Sequence, residues 1–461
     1  MKRQPWLTLL LLLLVAYLPF QVALNLSPDI DLMSGRVLVL GLFFLWLIKE
    51  TDQHKFWCHP GLAAGSRSQN KSGATKFWIP AGVYPVLRYG AGRTEGWALV
   101  LFFVLSAVSI LGAVNQAWGW RKLLFFASIF PLFWLTAALV RNKEHTRKII
   151  YIIIGSAAVS AIVALAQFLA QFIFGLAAVM SFWSVHILPL FSGAGFGSLV
   201  ASNPSWLVNI GGQTVMRAVG LFPDPHMLAF YLGLTSPFAL ALAFFGQRHR
   251  GIFFTVYCLL LTVLFLTFSR GGYLGLLFSL AVFIFFAWQR FGNKAKKFLG
   301  ATSLLLVVIL LLVGWPVATR LISSFDFREG SNMGRLVVWQ DSWEIIKKSP
   351  IIGVGLGNYS LAVNFNQDYR NAVTSHNLYL DLLAETGLLG LAAWLTVLGL
   401  GGLAAWRKIG SEPVVAFSTL SALAYFGAHS FFETAIFNPT GLAFLMIILA
   451  LSVAETKEDV L

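Results

Sequence analysis

The sequence predicts an all-α polytopic membrane protein with about 12 transmembrane helices and a large extracytoplasmic loop, in which apolar runs recur near the ~20 residues that cross a bilayer. Only 11% of the 461 residues are charged and 58% are hydrophobic, whereas a soluble domain carries about 25% charged residues. The 41 Phe and 16 Trp suit lipid-facing and interfacial surfaces. The fold class therefore follows from composition before any motif is considered.

The apolar runs form a single multi-spanning domain over residues 1–461. The predicted spans are Trp6–Leu24, Met33–Ile48, Trp97–Val114, Leu123–Val140, Ile149–Phe174, His226–Phe245, Ile252–Phe268, Gly272–Trp288, Phe298–Trp315, Leu378–Trp406, Val414–Phe432 and Pro439–Val453.

Lysine and arginine in the loops set the predicted orientation, because cytoplasmic loops carry the excess of these residues. Most of the 33 basic residues fall on the cytoplasmic side when both termini are placed there, including those of a basic loop at 49–96. Two long outer segments then remain. Residues 176–225 are expected to pack on the membrane surface or re-enter it, and residues 317–376 are expected to face water with an amphipathic helix at Asn332–Ser349.

The net charge of +14 does not indicate nucleic-acid binding, because the basic residues lie in short clusters between apolar runs. Cys58 lies in a polar loop and Cys258 in an apolar run, which is no disulfide framework. The sequence also shows no set of four ligands for a structural zinc. No metal and no cofactor are predicted.

Four basic side chains near the outer ends of spans are candidates for binding: Arg217, Arg270, Arg335 and His376. Arg270 is the most informative arginine, since the short turn F-S-R-G-G-Y needs its glycines but not an arginine. A guanidinium donates paired hydrogen bonds that suit a phosphate or diphosphate. The alternatives are snorkelling to lipid headgroups for Arg217 and Arg270, and a surface ion pair for Arg335.

His376 opens a long apolar helix whose first turns are expected to project above the lipid. Asp381 and Glu385 lie one turn apart on that part of the helix, on one face. A neutral imidazole can accept a proton from a sugar hydroxyl, and a carboxylate can orient the ring. The alternative is a histidine that caps the helix.

Three other patterns in the sequence also have structural explanations. Asp29 and Asp31 have the spacing of a metal-binding D-x-D pair. His429 and Glu433 form a predicted helical pair, for which structural hydrogen bonding is favoured. Gly353–Asn358, reading G-V-G-L-G-N, predicts a tight turn with positive φ angles rather than a dinucleotide-binding loop.

Four motif groups together resemble the O-antigen ligase and O-antigen polymerase superfamily of bacterial polyprenyl-diphosphate-linked glycan transferases. They are R-A-V-G-L-F-P-D-P-H at 217–226, S-R-G-G-Y at 269–273, G-R-L-V-V-W at 334–339 with S-P-I-I-G-V-G-L-G-N-Y at 349–359, and S-H-N-L-Y-L at 375–380 with E-T-G-L-L-G at 385–390. Their order and their placement next to spans make the set specific. One departure is His226, where an asparagine is common.

The resemblance implies a fold like that of C-type glycosyltransferases and a site on the outer face of the bacterial inner membrane. It implies transfer of a glycan from undecaprenyl diphosphate to an acceptor hydroxyl with inversion. Arg217 and Arg270 would hold the diphosphate, Arg335 would assist, and His376 would act as the catalytic base. Asp381 and Glu385 would support it, and the family's ligases are regarded as metal-independent.

The acceptor stays open between a lipid A core (ligase), a second glycan (polymerase) and a protein hydroxyl (protein O-oligosaccharyltransferase). A lipid-linked glycan flippase or another transporter is an alternative of a different class. Transporters tend to show paired repeats and polar residues at the midplane, whereas the candidate residues here gather on one face. The expected partners are therefore the lipid-linked donor, one such acceptor and membrane lipid, with no nucleic acid.

Overall fold

The computed structural model describes residues 5–27, 30–55, 94–194, 204–210, 212–246, 248–293, 300, 330–369 and 373–454. The α-helices are α1 Pro5–Tyr17, α2 Ser34–Lys55, α3 Thr94–Ser109, α4 Gln116–Ile129, α5 Pro131–Leu139, α6 Lys143–Phe174, α7 Leu176–Phe182, α8 Leu188–Ser192, α9 Pro225–Phe245, α10 Arg250–Leu266, α11 Arg270–Phe291, α12 Gly330–Lys348, α13 Tyr359–Val363, α14 Leu378–Arg407, α15 Pro413–His429 and α16 Pro439–Val453. The strands are β1 Ala23–Ser27, β2 Ile30–Met33, β3 Leu207–Ile210 and β4 Gln213–Met216.

The described residues contain six helical segments that are long and apolar enough to cross a membrane, and four shorter apolar segments. The six are Thr94–Gly112, Gln116–Leu139, Lys143–Phe174, Pro225–Phe245, Arg270–Phe291 and Leu378–Arg407, and the four are Pro5–Phe20, Leu176–Ser192, Arg250–Leu266 and Pro439–Val453. The prediction of an all-α polytopic membrane protein is confirmed. The count of about 12 spans stays a prediction, since most of the predicted span Phe298–Trp315 lies outside the described residues. Most of the predicted basic loop 49–96 also lies outside them.

The predicted fourth span began too late. The helix starts at Gln116 rather than at Leu123, because the Asn115 side chain caps it by accepting a hydrogen bond from the Trp118 amide. It continues across Pro131, which takes the first position of α5, where a missing N–H is tolerated. The charged pair Arg121–Lys122 thus lies within the helix rather than at its boundary.

Helix α9 lies at the centre of the bundle, since 89% of its most apolar 18-residue stretch is buried. It packs against α15, α10 and α6. Gly233 allows the closest approach, since a Cβ there would lie 1.8 Å from the Tyr425 Cζ atom. The Tyr425 hydroxyl then donates to the Ala229 carbonyl at 2.7 Å. Small residues at helix contacts are typical of membrane bundles, where close van der Waals packing drives association.

Two short antiparallel hairpins, β1–β2 and β3–β4, follow α1 and the α7–α8 region. The sequence analysis did not predict them. The second hairpin leads directly to Arg217, whose backbone amide donates to the Trp206 carbonyl at 2.8 Å. Gln171 on α6 fixes this chain segment, because its side chain bonds both the amide and the carbonyl of Met216.

The segment predicted to be an amphipathic helix, Asn332–Ser349, is helical to Lys348 as part of α12. Met333 and Trp343 on this helix are about half exposed. Ser342, Ile345 and Ile346 are buried. A serine lies on this face because its hydroxyl bonds the Tyr359 hydroxyl at 2.7 Å, which sequence periodicity cannot reveal.

Helix α14 is interrupted at Gly387, where φ is 67° and ψ is −172°. The segment 350–355 replaces the missing helical hydrogen bonds: Val354 donates to the Ala384 carbonyl at 2.8 Å, and Leu388 donates to the Pro350 carbonyl at 2.8 Å. A Cβ on Gly387 would lie 2.1 Å from the Ile351 carbonyl oxygen. The tight turn predicted for 353–358 is confirmed, since Gly353, Gly355 and Gly357 all have positive φ angles.

Candidate active site

A buried carboxylate, Glu433, lies in the loop after α15 and gathers three basic side chains from distant parts of the chain. Its Oε2 atom lies 3.3 Å from the His376 Nδ1 atom. Its Oε1 atom lies 3.7 Å from the His226 Nε2 atom and 3.7 Å from the Arg335 Nη2 atom. These residues come from the loop before α14, from the first turn of α9 and from α12. The structure thus brings together two predicted site residues, Arg335 and His376, around one that was not predicted as part of the site.

The loops that carry His376 and Glu433 are joined by Asp381, which is 1% exposed. Its Oδ1 atom accepts from the Ser375 amide at 2.8 Å, and its Oδ2 atom accepts from the Thr434 hydroxyl. Each partner is the chain neighbour of a site residue. Asp381 therefore sets the separation of the imidazole and the Glu433 carboxylate without touching the imidazole.

His376 itself has a left-handed backbone, with φ of 51°. A non-glycine residue in this region is strained by about 1 kcal/mol or more, and such residues concentrate at functional sites. The hydrogen bonds of the neighbouring Ser375 hold the strained conformation: its amide donates to Asp381, and its hydroxyl donates to the Asn377 carbonyl at 2.8 Å.

A second layer of polar contacts lies behind Glu433 and centres on Ser269. Its hydroxyl lies 2.9 Å from the His226 Nδ1 atom and 3.3 Å from the His429 Nε2 atom. It also caps α11 by accepting from the Gly272 amide at 3.2 Å. His429 is held by a stacked Phe230 ring at 3.7 Å, so the histidines and the carboxylate form one connected network.

Helix α12 brings Arg335 to this network. The Trp339 indole on the same helix donates to the Ser375 carbonyl at 3.0 Å, one residue before His376. Arg335 is 18% exposed at its side chain. Helix α12 and the His376 loop are therefore in direct contact at the site.

The two other predicted arginines are both buried. Arg270 is the first residue of α11, next to Ser269, and is 5% exposed. Arg217 is 4% exposed, and its guanidinium donates to the Thr267 carbonyl at 2.6 Å and the Ser205 carbonyl at 2.8 Å. Arg217 thus ties the hairpin segment to the loop that precedes Arg270.

Glu385, predicted to support His376, lies elsewhere. Its two oxygens accept from the Lys122 ammonium at 2.8 and 2.7 Å, and that ammonium also lies 3.3 Å from the centre of the Phe437 ring. Glu385 therefore anchors α4 to α14. The face shared by Asp381 and Glu385 is turned to neighbouring loops and helices, so neither carboxylate orients the imidazole.

The charges of the cluster act strongly on one another. Burial favours the neutral forms of Glu433 and His226. The nearby His226, the hydrogen bond and charge of His376 and the charge of Arg335 nevertheless outweigh burial and lower the pKa of Glu433 to about 2. In return, the hydrogen bond and the charge of Glu433 raise the pKa of His376 above its usual value, against burial and the charge of Arg335. Glu433 is therefore a permanent carboxylate that holds a histidine of increased basicity.

Sequence reasoning missed Glu433 and His226 as site residues. The helical pair predicted for His429 and Glu433 is wrong, because α15 ends at His429 and Glu433 lies in the following loop. One signal for His226 was present, since it departs from the usual asparagine of its motif. Asp29 and the side chain of Asp31 lie outside the described residues, and within the described ranges no group of three or more His, Cys, Asp or Glu is placed to hold a metal ion.

The described residues combine helices long and apolar enough to cross a membrane with a cluster of charged and histidine side chains around Glu433. These features define the class as a polytopic membrane protein with a polar site. Residues 255–395 match the family described as O-antigen ligase, a range that includes Arg270, Arg335 and His376. The chain is also similar to the teichuronic acid biosynthesis protein TuaE of Bacillus subtilis (strain 168), with 28% identity over 146 residues. That alignment covers 30% of this chain and 30% of the relative. Over the parts of the chain that they match, both comparisons support the resemblance to O-antigen ligases that the sequence motifs carry.

Proposed function

We propose that the protein transfers a glycan from undecaprenyl diphosphate to an acceptor hydroxyl, with inversion, at the outer face of the bacterial inner membrane. The observation that carries the proposal is the His376–Glu433 pair, which leaves a half-exposed imidazole (52% at the side chain) beside Arg335. The family match supports the same reaction class.

The geometry gives His376 the role of general base. A carboxylate bound at Nδ1 favours the tautomer in which Nδ1 carries the proton, so that Nε2 has a free lone pair. Nε2 removes the proton of the acceptor hydroxyl as its oxygen attacks the anomeric carbon. The new glycosidic C–O bond forms while the bond from that carbon to the phosphate oxygen breaks, and undecaprenyl diphosphate leaves with the bonding electrons.

The arginines act on the leaving group. Negative charge grows on the diphosphate in the transition state, and fixed guanidinium groups in a partly dry site stabilise it without a metal ion. We assign diphosphate binding to Arg270 and Arg335. Arg217 contributes indirectly, because its hydrogen bonds to backbone carbonyls hold the loop before Arg270 in place.

The acceptor is tested by reconstitution. Purified protein in nanodiscs, given an undecaprenyl-diphosphate-linked glycan, is offered a lipid A core, a second lipid-linked glycan or a hydroxyl-bearing peptide. We expect release of undecaprenyl diphosphate with one acceptor, and equal rates with and without EDTA. The relative named for teichuronic acid biosynthesis supports including the glycan acceptor. Movement of the donor across the bilayer without cleavage would instead identify a flippase and contradict the proposal.

The raised pKa of His376 predicts the pH dependence of transfer. The base form appears only as pH rises through the pKa of His376, so kcat/KM should rise with pH through a value above the ordinary ~6.5 of histidine. Glu433→Gln removes the charge that raises this pKa, so the rising limb should move to lower pH.

The same variant should lower the maximal rate, since the imidazole loses the group that fixes its tautomer. The measurement is kcat/KM from about pH 5 to 9, spanning the titration of histidine. A limb that stays at the same pH in Glu433→Gln would show that Glu433 does not act through His376.

A further inference from the structure

A second group of cations lies at the same end of the bundle and takes no part in the proposed chemistry. Arg121, on α4, lies with its guanidinium carbon 4.9 Å from the centre of the Tyr369 ring. Trp118, one turn earlier, meets the same ring edge to face, with centroids 5.2 Å apart. Arg36, on α2, completes the group, and we call Arg36, Trp118, Arg121 and Tyr369 the Tyr369 patch.

Arg36 is directed into the protein rather than towards lipid. Its Nε atom donates to the Ser128 hydroxyl at 2.7 Å, and its guanidinium carbon lies 5.0 Å from the centre of the Phe125 ring. A snorkelling arginine would instead extend its head group to the interface. Phe125 lies one turn after Arg121 on the same face of α4, so Arg36 packs beside the Arg121 position. Burial raises the pKa of Tyr369, and the charges of Arg121 and Arg36 act in the opposite direction.

Among the described residues, no carboxylate forms an ion pair with Arg36 or Arg121, and α4 contacts an acidic group through the bond from Lys122 to Glu385. A guanidinium has five N–H donors, and within the described part of the chain the contacts of Arg36 to protein acceptors use one of them. The patch therefore carries positive charge and N–H donors that suit an anion.

The start of α4 is fixed to the chain segment that leads through α13 to Tyr369. Asn358, which directly precedes α13, accepts from the Asn115 amide at 2.8 Å and donates to its carbonyl at 3.0 Å. Gly357 allows this contact, since a Cβ there would lie 3.0 Å from the Trp118 carbonyl oxygen. A preformed arrangement of this kind reduces the entropy lost on binding.

The patch is connected to the candidate active site by a short run of contacts. Lys122, next to Arg121, binds Glu385 and lies over the Phe437 ring. Phe437 belongs to the same loop as Glu433. A chain of sugars with its reacting end at His376 therefore has a charged and aromatic surface beside it.

We propose that the Tyr369 patch is a binding subsite for a negatively charged sugar of the glycan substrate. The guanidinium groups of Arg36 and Arg121 bind a sugar carboxylate or phosphate, and the aromatic rings of Trp118 and Tyr369 pack against the apolar face of the sugar ring. The inference rests on the proposed function, because it takes a glycan to be the substrate. A lipid headgroup offers the same phosphate chemistry. The sugar is favoured because Arg36 is hydrogen-bonded to Ser128 within the protein and because Tyr369 lies in a polar loop.

Binding of two short oligosaccharides tests the proposal, with the protein held in phosphatidylcholine nanodiscs. The probes are an oligogalacturonate, which carries a carboxylate on each sugar, and a neutral malto-oligosaccharide of equal length. We expect the wild-type protein to prefer the acidic probe, and Arg121→Gln to weaken its binding by about tenfold, as expected for loss of a charge-assisted bond. Neutral-probe binding should not change.

Lys347→Gln is the matched control, because it also removes one positive charge but does so at an exposed ion pair with Glu344 on α12, outside the patch. It should leave the preference intact. Arg36→Gln should weaken binding of the acidic probe as Arg121→Gln does. Arg36→Lys keeps the positive charge but loses the guanidinium hydrogen bond to Ser128, so it shows whether binding depends on the charge or on that contact. Thermal unfolding of each purified variant reports on its fold.

Three outcomes would overturn the proposal. They are equal affinity of wild type and Arg121→Gln for oligogalacturonate, no preference over the neutral probe, or, after transfer to nanodiscs that contain phosphatidylglycerol, loss of phosphatidylglycerol adducts in native mass spectra of Arg121→Gln with no change in sugar binding. The last would identify a lipid headgroup site. His376→Ala protein should still bind the acidic probe. If the wild-type protein bound the acidic probe but showed no transfer, the result would count against the proposed function and not against the subsite.

Discussion

Replacing His376 with alanine should reduce glycan transfer by about 10²- to 10⁴-fold, the range for loss of a general base. Nε2 of this imidazole is the proton acceptor of the proposed reaction, and Glu433 holds it through Nδ1. The measurement is the initial rate of undecaprenyl diphosphate release in nanodiscs at saturating donor. The donor should still bind, because the arginines that hold the diphosphate are unchanged.

The left-handed backbone of His376 requires a second variant. Alanine is strained at a positive φ angle, whereas asparagine tolerates this region and has no imidazole. His376→Asn should therefore be as inactive as His376→Ala while keeping the wild-type unfolding temperature. His186→Ala, which removes an exposed histidine that packs on Phe182, should retain full activity. Near-normal transfer by His376→Asn would remove the base assignment.

Replacing Arg270 with lysine should reduce transfer by about 10- to 100-fold, which corresponds to the roughly 1.5–3 kcal/mol of a hydrogen bond to a charged group. Lysine keeps the positive charge but loses the planar fork that donates two bonds at once to a diphosphate. Arg270 is 5% exposed, so its side chain has little freedom to compensate. The effect should appear as weaker donor binding and as a lower rate at saturating donor.

Arg290→Lys provides the control on the same helix. Arg290 lies in the last turn of α11 and is exposed, at the opposite end from Arg270, so its substitution should have little effect on rate or unfolding temperature. An Arg270→Lys protein with wild-type transfer would show that this position needs only a positive charge. Lipid snorkelling would then explain Arg270 better than diphosphate binding.

The parts of the fold that depend on local patterns could be predicted from the sequence. Hydropathy located the long apolar helices, spacing located α12, and the glycines of 353–358 indicated positive φ angles, as the structure has them. These features depend on residues close together in the chain. The two hairpins were missed because short strands carry a weak periodic signal.

The candidate site could be predicted only in part, because it depends on which loops meet. Arg335 and His376 stood out as isolated charged or polar groups beside apolar runs, which are costly unless they have a role. Glu433 gave no such signal, since its importance comes from contacts with residues far away in the chain. Asp381 was predicted to support His376, and this role stays a prediction; its contacts with Ser375 and Thr434 depend on the folded loops.

The interruption of α14 at Gly387 has a consequence for the exchange of segments between relatives. The backbone of 350–355 completes the hydrogen bonding of this helix, and Gly387 leaves no space for a Cβ against Ile351. The two stretches are thus halves of one structural unit, although about thirty residues of chain, the span of a whole outer loop, separate them. A hybrid protein that took residues 350–355 from a relative would therefore also need the helix segment around Gly387 from the same relative.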